Sequence, residues 1–182
     1  MHPRLLEAVR NNAAWCELVC AEHGVPGRYG ERAWTNPRRT PEFYPDAISL
    51  TPDATAGDVL DGIDESPGAS VKDSFASLDL PGFRVLFEAT WIHRPPGTPG
   101  GDWKVDRRSE TVWHVHDGHS NEATLNTSDA VLGVSNVDGD DPWPGIVATA
   151  ARLHPGRDLV GYEGEAPEGF AAIGPLRIWL KD

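Results

Sequence analysis

Proline and glycine, 16 and 19 of the 182 residues, fall where they forbid long regular elements over much of this chain. Residues 24–46 carry Gly24, Pro26, Gly27, Gly30, Pro37, Pro41 and Pro45, and residues 94–102 hold three prolines and three glycines. Proline lacks a backbone N–H and fixes φ, while glycine loses the most entropy on ordering, so both stretches read as loops. One long helix is expected, ahead of the first stretch. Over residues 3–23, Leu6, Val9, Ala13, Cys16 and Cys20 recur at three- and four-residue spacing and Gly24 ends the run. Asn11-Asn12 marks a kink or a fresh N-cap inside it.

The rest reads as short elements. Residues 47–50 form a strand and 58–63 a short helix, with a turn over 65–69. Residues 83–92 are a strong strand of β-branched and aromatic residues after Pro81-Gly82. Residues 112–116 are a strand leading into a polar loop that runs to Asp129. Residues 130–137 are a buried strand, and 143–153 a helix with Ile146, Val147, Ala150 and Leu153 as its apolar stripe. Strands follow at 158–162 and 176–180. No linker or repeat interrupts the chain, so residues 1–182 are expected to form a single α+β domain.

A net charge of −12 repels phosphate backbones and anionic membranes, which removes nucleic acid as an expected partner. No apolar run approaches the roughly 18 residues of a membrane span. Met1 to Arg10 lacks the apolar centre of a signal peptide. Cys16 and Cys20 lie four apart on one helix, poorly placed for a disulfide, and read as reduced core thiols of a cytoplasmic protein.

From residue 130 on, the order is strand, helix, strand, Gly-Phe turn, strand. The segments Asp158-Leu-Val-Gly-Tyr-Glu163 and Glu168-Gly-Phe-Ala-Ala-Ile-Gly174 resemble the second half of the GNAT acetyltransferase superfamily. Residues 71–80 and 82–92 look like the middle of bacterial GNAT-like proteins. The resemblance implies a mixed, mostly antiparallel sheet flanked by helices. It implies acetyl-CoA as cofactor, its pyrophosphate held on free backbone N–H groups at a helix N-terminus through an Arg/Gln-x-x-Gly-x-Gly/Ala loop. Here that stretch is Asn136-Val-Asp-Gly-Asp-Asp-Pro-Trp-Pro-Gly145. Pro142 and Pro144 have no N–H, and Asp138, Asp140 and Asp141 bring negative charge, so acetyl-CoA is disfavoured. Asp141 reads as the helix N-cap with Pro142 at the first helical position. Asn136, Asp138 and Asp140 match the start of a Ca²⁺ loop, but Asp141 and Val147 stand where that loop needs Gly and Glu.

Several side chains are candidates for chemistry. Trp91 and His93 end a strand beside the Pro/Gly-rich loop, where His93 could serve as a general base. Arg38 and Arg39, with Tyr44 and Trp113, are candidates for gripping a small anionic or aromatic molecule. His114 and His116 point to one face of a strand, and His119 follows three residues on, a set able to hold Zn²⁺. That spacing is similar to the His-x-His-x-Asp-His of metallo-β-lactamase-like hydrolases, with Gly118 where the pattern has Asp. The expected function is a diverged GNAT-like domain acting on a small polar or anionic metabolite, without conventional acetyl transfer. An acetyl-CoA-dependent N-acyltransferase, a metal-dependent hydrolase and a non-catalytic binding module are the rival readings, and a homodimer is left open.

Overall fold

A computed structural model describes residues 1–182. The elements in chain order are α1 (Leu5–Glu22), β1 (Arg28–Tyr29), β2 (Ala33–Thr35), β3 (Ala47–Ser49), α2 (Ala56–Leu60), β4 (Ser70–Asp73), β5 (Phe83–Arg94), β6 (Lys104–Arg107), β7 (Val112–His116), β8 (Glu122–Thr127), β9 (Val131–Asp138), α3 (Trp143–Leu153), β10 (Asp158–Glu163) and β11 (Ala171–Lys181). They fall into two compact units. One comprises Met1–Asn11 and Trp91–Ile173, the other Asn12–Thr90 and Gly174–Asp182.

In the first unit the strand order is β5-β10-β9-β8-β7-β6. The strands from β6 to β9 pair antiparallel, and β9 pairs parallel with β10. A parallel pair needs a long crossover, which α3 supplies. The helix buries Ile146, Val147 and Ala150 against Val115, Leu125, Leu132, Val134 and Leu159. Each fully buried Val, Leu or Ile side chain among them is worth about 1.5–3 kcal/mol. Between Asp138 and Ser135 the β8–β9 register slips by one residue, and Asn136 takes a φ of +50°. This bulge redirects the end of β9 toward α3. Below it, over Gly133, the Asn11 side-chain amide donates to the Asn126 backbone carbonyl, and the Asn126 amide donates to the Asn11 side-chain and backbone oxygens. Both buried side-chain NH₂ groups thereby find acceptors inside the core.

In the second unit the order is β1-β2-β3-β4-β11-β5. Its core gathers Ala47, Val59, Val71, Leu78, Leu80, Phe83 and Trp179. α2 opens with a capping box in which Thr55 and Asp58 satisfy each other's backbone N–H groups. Buried Asp73 closes the turn after β4 by accepting the N–H groups of Ser77 and Leu78. Cys16 and Cys20 are free and buried, and burial pushes the Cys20 thiol up to about 11.

The α+β class and the mostly antiparallel pairing agree with the sequence reading, and no helix is long and apolar enough to cross a membrane. Five strands were not expected. β1 and β2 lie within residues 24–46, β8 lies in the stretch read as a polar loop, and β4 and β6 were missed. α1 runs unbroken through Asn11-Asn12, whose side chains bond to other elements instead of capping a helix. α2 begins two residues before the expected Asp58. Asp141 is not the cap of α3: that position belongs to Pro142, with no side-chain hydrogen bond, and the helix starts at Trp143. Pro144, placed in the first turn, occupies a position whose N–H would lack a helical partner anyway.

Candidate functional site

The first unit contains a cleft of about 560 Å³ at the start of α3, lined by Arg94, Thr98, Trp143, Val147, Glu168 and their neighbours. Its size falls within the range of small-molecule sites, about 300–1,000 Å³. Three segments far apart in sequence build it. The end of β5 brings Arg94, the first two turns of α3 bring Trp143, Pro144, Val147 and Ala148, and the β10–β11 turn brings Pro167 to Gly169.

Arg94 is the cleft's cation. Its guanidinium lies 5.7 Å from the centroid of Phe170, which meets Trp143 edge-on at 4.8 Å. Gly169, at φ +77°, leaves the space that Arg94 occupies; a Cβ there would run into the guanidinium. A guanidinium held on an aromatic face keeps its N–H edge free to fork onto a carboxylate or phosphate. Glu168 and Asp141 add two carboxylates to the same cleft.

The Pro/Gly-rich segment after β5 lies along α3. Gly97 leaves room for Val147, the Gly100 N–H reaches the Ala148 carbonyl at 3.3 Å, and Arg152 donates to the Trp103 carbonyl at 2.8 Å. Trp103 covers Gly145, where a Cβ would collide with its indole. Trp103 therefore roofs the first turn of α3.

The β9–α3 turn is poor in backbone donors. The Gly139 N–H is taken by Asp138 at 2.9 Å, and the Asp141 N–H is directed to Asn121 at 3.3 Å. Pro142 and Pro144 supply none. Asn121 in turn donates to Asp117 at 2.7 Å, and that bond, with the His119 and Asn121 backbone N–H groups, holds the Asp117 carboxyl below the usual range.

The residues singled out in the sequence lie as follows. Side chains alternate along a strand, so Arg94 enters the cleft while His93 and Trp91 face the other way. His93 bonds Asp158 at 3.0 Å, and Asp158 also accepts from Arg4 at 2.7 Å. Burial pushes the Asp158 carboxyl up, but the bonds from His93 and Arg4 outweigh it and leave it below the ordinary value. Trp91 is fully buried, edge-on to Tyr162 at 5.6 Å. Trp113 packs edge-on to His154 at 4.5 Å, beside the α3 core. Arg38, Arg39 and Tyr44 belong to the second unit. Arg38 donates to the Gly24 carbonyl, Arg39 pairs with buried Asp46 at 2.6 Å, and the Tyr44 carbonyl accepts from Thr40. His114 and His116 stack on β7 beside Asp106 of β6, whereas His119 lies in the turn after β7 and outside this cluster. Sequence reasoning missed Arg94, Phe170 and Asp106. The GF turn was a signal for Phe170, but none was available for Asp106, whose place depends on the β6–β7 register.

No protein-family model matches the chain, and no curated protein matches it in sequence. Solved structures do resemble it. A conserved protein of unknown function from Staphylococcus epidermidis ATCC 12228 superposes with a TM-score of 0.56 at 9% identity, covering 92% of this chain and 99% of that one. A protein described as an acetyltransferase from the GNAT family of Novosphingobium aromaticivorans DSM 12444 superposes with a TM-score of 0.50 at 14% identity, covering 92% and 96%. The fold is GNAT-like.

Proposed function

We propose that this chain is a diverged GNAT-fold domain that binds a small anion-bearing polar molecule in the cleft at the start of α3, without conventional acetyl-CoA transfer. The observation that carries the reading is the state of the β9–α3 turn. An anion resting on a helix N-terminus needs several free N–H donors, each hydrogen bond to a charged group being worth about 1.5–3 kcal/mol. In this turn two donors are absent as prolines and two are engaged by Asp138 and Asn121. Asp138, Asp140 and Asp141 oppose a pyrophosphate further. Arg94 on Phe170 offers the alternative anion anchor, with Trp143 and Val147 as apolar wall and Glu168 and Asp141 for the ligand's donors. In this reading Trp91, His93 and Arg39 serve the scaffold, and the net charge of −12 favours a small ligand over nucleic acid.

Calorimetric titration with acetyl-CoA tests it. No heat is expected at micromolar ligand, and a micromolar dissociation constant, about −8 kcal/mol, would overturn the reading. Native mass spectrometry of the purified protein supplies the positive arm: a small ligand retained by the parent and lost in Arg94→Ala is the expected result.

A further inference from the structure

The sheet of the first unit carries a second cluster, outside the cleft, that the proposed function does not use. On β7, His114 and His116 sit two apart and so share a face; their rings stack at 5.1 Å with planes 20° apart. The antiparallel register sets Asp106 of β6 directly opposite His114. The Asp106 carboxylate lies 3.4 Å from His116 Nε2 and 3.7 Å from His114 Nδ1, and one ligand atom from each residue lies within 4.8 Å of the others. Bonds of about 2.1 Å from a tetrahedral cation to nitrogen and oxygen imply ligand–ligand edges of about 3.4 Å. The spacing is that of a ligand set around one ion.

The protonation pattern agrees. His114 Nε2 lies 3.2 Å from Glu122 Oε2 on β8. An ionised carboxylate only accepts, so it requires the proton on Nε2 and leaves the lone pair on Nδ1. That Nδ1 is buried and has no hydrogen-bond partner, on the side facing Asp106. A carboxylate behind a histidine whose other nitrogen is free is the arrangement that orients metal-bound imidazoles. The ammonium of Lys104, opposite His116 in register, lies over Gly118.

We propose that Asp106, His114 and His116 form a binding site for a zinc-class divalent cation, with Glu122 orienting His114. Two imidazoles and a carboxylate suit zinc and its transition-metal neighbours better than calcium or magnesium, which prefer all-oxygen sites. Three protein ligands leave a coordination position for water.

The test is titration of tag-free protein with Zn²⁺ alone, followed by calorimetry and by the imidazole C–H signals in NMR. One equivalent is expected to bind with micromolar or tighter affinity, shifting the signals of His114 and His116 and sparing those of His2 and His23. Asp106→Asn and His116→Ala should each weaken binding at least tenfold, Glu122→Gln about ten- to hundredfold, and His119→Ala should leave it unchanged. The NMR arm needs no variant, so it stands even where a substitution disturbs folding. Absence of binding at about 100 µM metal, full affinity in the Asp106→Asn/His116→Ala double variant, or a loss in His119→Ala equal to that in His116→Ala would each overturn the site.

Discussion

Replacing Asp46 with alanine should be among the most damaging single changes in the second unit. Its carboxylate is 2% exposed and accepts three hydrogen bonds: from the Thr40 N–H at 3.0 Å, the Ser70 N–H at 2.9 Å and Arg39 at 2.6 Å. The alanine variant strands the two N–H groups, at about 1–3 kcal/mol each. Arg39 is 35% exposed and can return to water, so it adds little of its own. The expected loss is therefore about 2–6 kcal/mol, carried by those two N–H groups. Arg39→Ala, which leaves Asp46 with its two backbone N–H donors, should cost about 1–2 kcal/mol. Urea unfolding followed by far-UV circular dichroism reads both. With a slope of about 2 kcal/mol per molar urea, Asp46→Ala should lower the midpoint by about 2 M. A fall under about 0.5 M, or equal effects of the two substitutions, would refute the assignment of Arg39 and Asp46 to the scaffold.

Two further outcomes follow from the first unit. Burial, then the charge of Arg157, lowers the His154 pKa from 6.5, so on acidification the unfolded chain takes up this proton first. Stability should therefore fall as pH drops below about 6.5, and urea midpoints at neutral and mildly acid pH should differ less in His154→Gln than in the parent; an unchanged difference would contradict the account. Gly169→Ala should cost about 1–2 kcal/mol for its left-handed backbone, plus the displacement of Arg94. A double-mutant cycle with Arg94→Ala should then show a coupling of at least about 0.5 kcal/mol, and additivity would mean that the two do not touch.

Elements with a long, strong pattern were legible in the sequence: α1, the apolar run of β9, the stripe of α3, and β5, β10 and β11. The missed strands are held by their neighbours. β8 alternates only over Glu122 to Leu125, with Ala123 and Leu125 buried; Asn126 is buried as well, and Glu, Thr and Asn give the strand the composition of a loop. β6 has a single apolar residue, Val105, and exists because it pairs with β7. β4 carries Lys72 and Asp73, which are buried, and a buried charge is tolerated only once its partners are folded around it. The candidate sites follow the same division. His114 and His116 show their shared face by spacing alone, since the strand period is local. Arg94, Trp143 and Phe170 meet only through the tertiary arrangement of β5, α3 and the β10–β11 turn. Asp141 was misread because a cap depends on where the first helical residue falls, and the Pro142-Trp143-Pro144 step moved that start by one.

β6 ends the strand order of its unit, so one side of it offers unpaired N–H and C=O groups. Its exposed residues are Lys104, Asp106 and Arg107. A further strand adding to this border would have to strip water from charges of both signs over a span of four residues, and would find little apolar surface in return. The border is thereby guarded against fibril-like stacking of one molecule upon another.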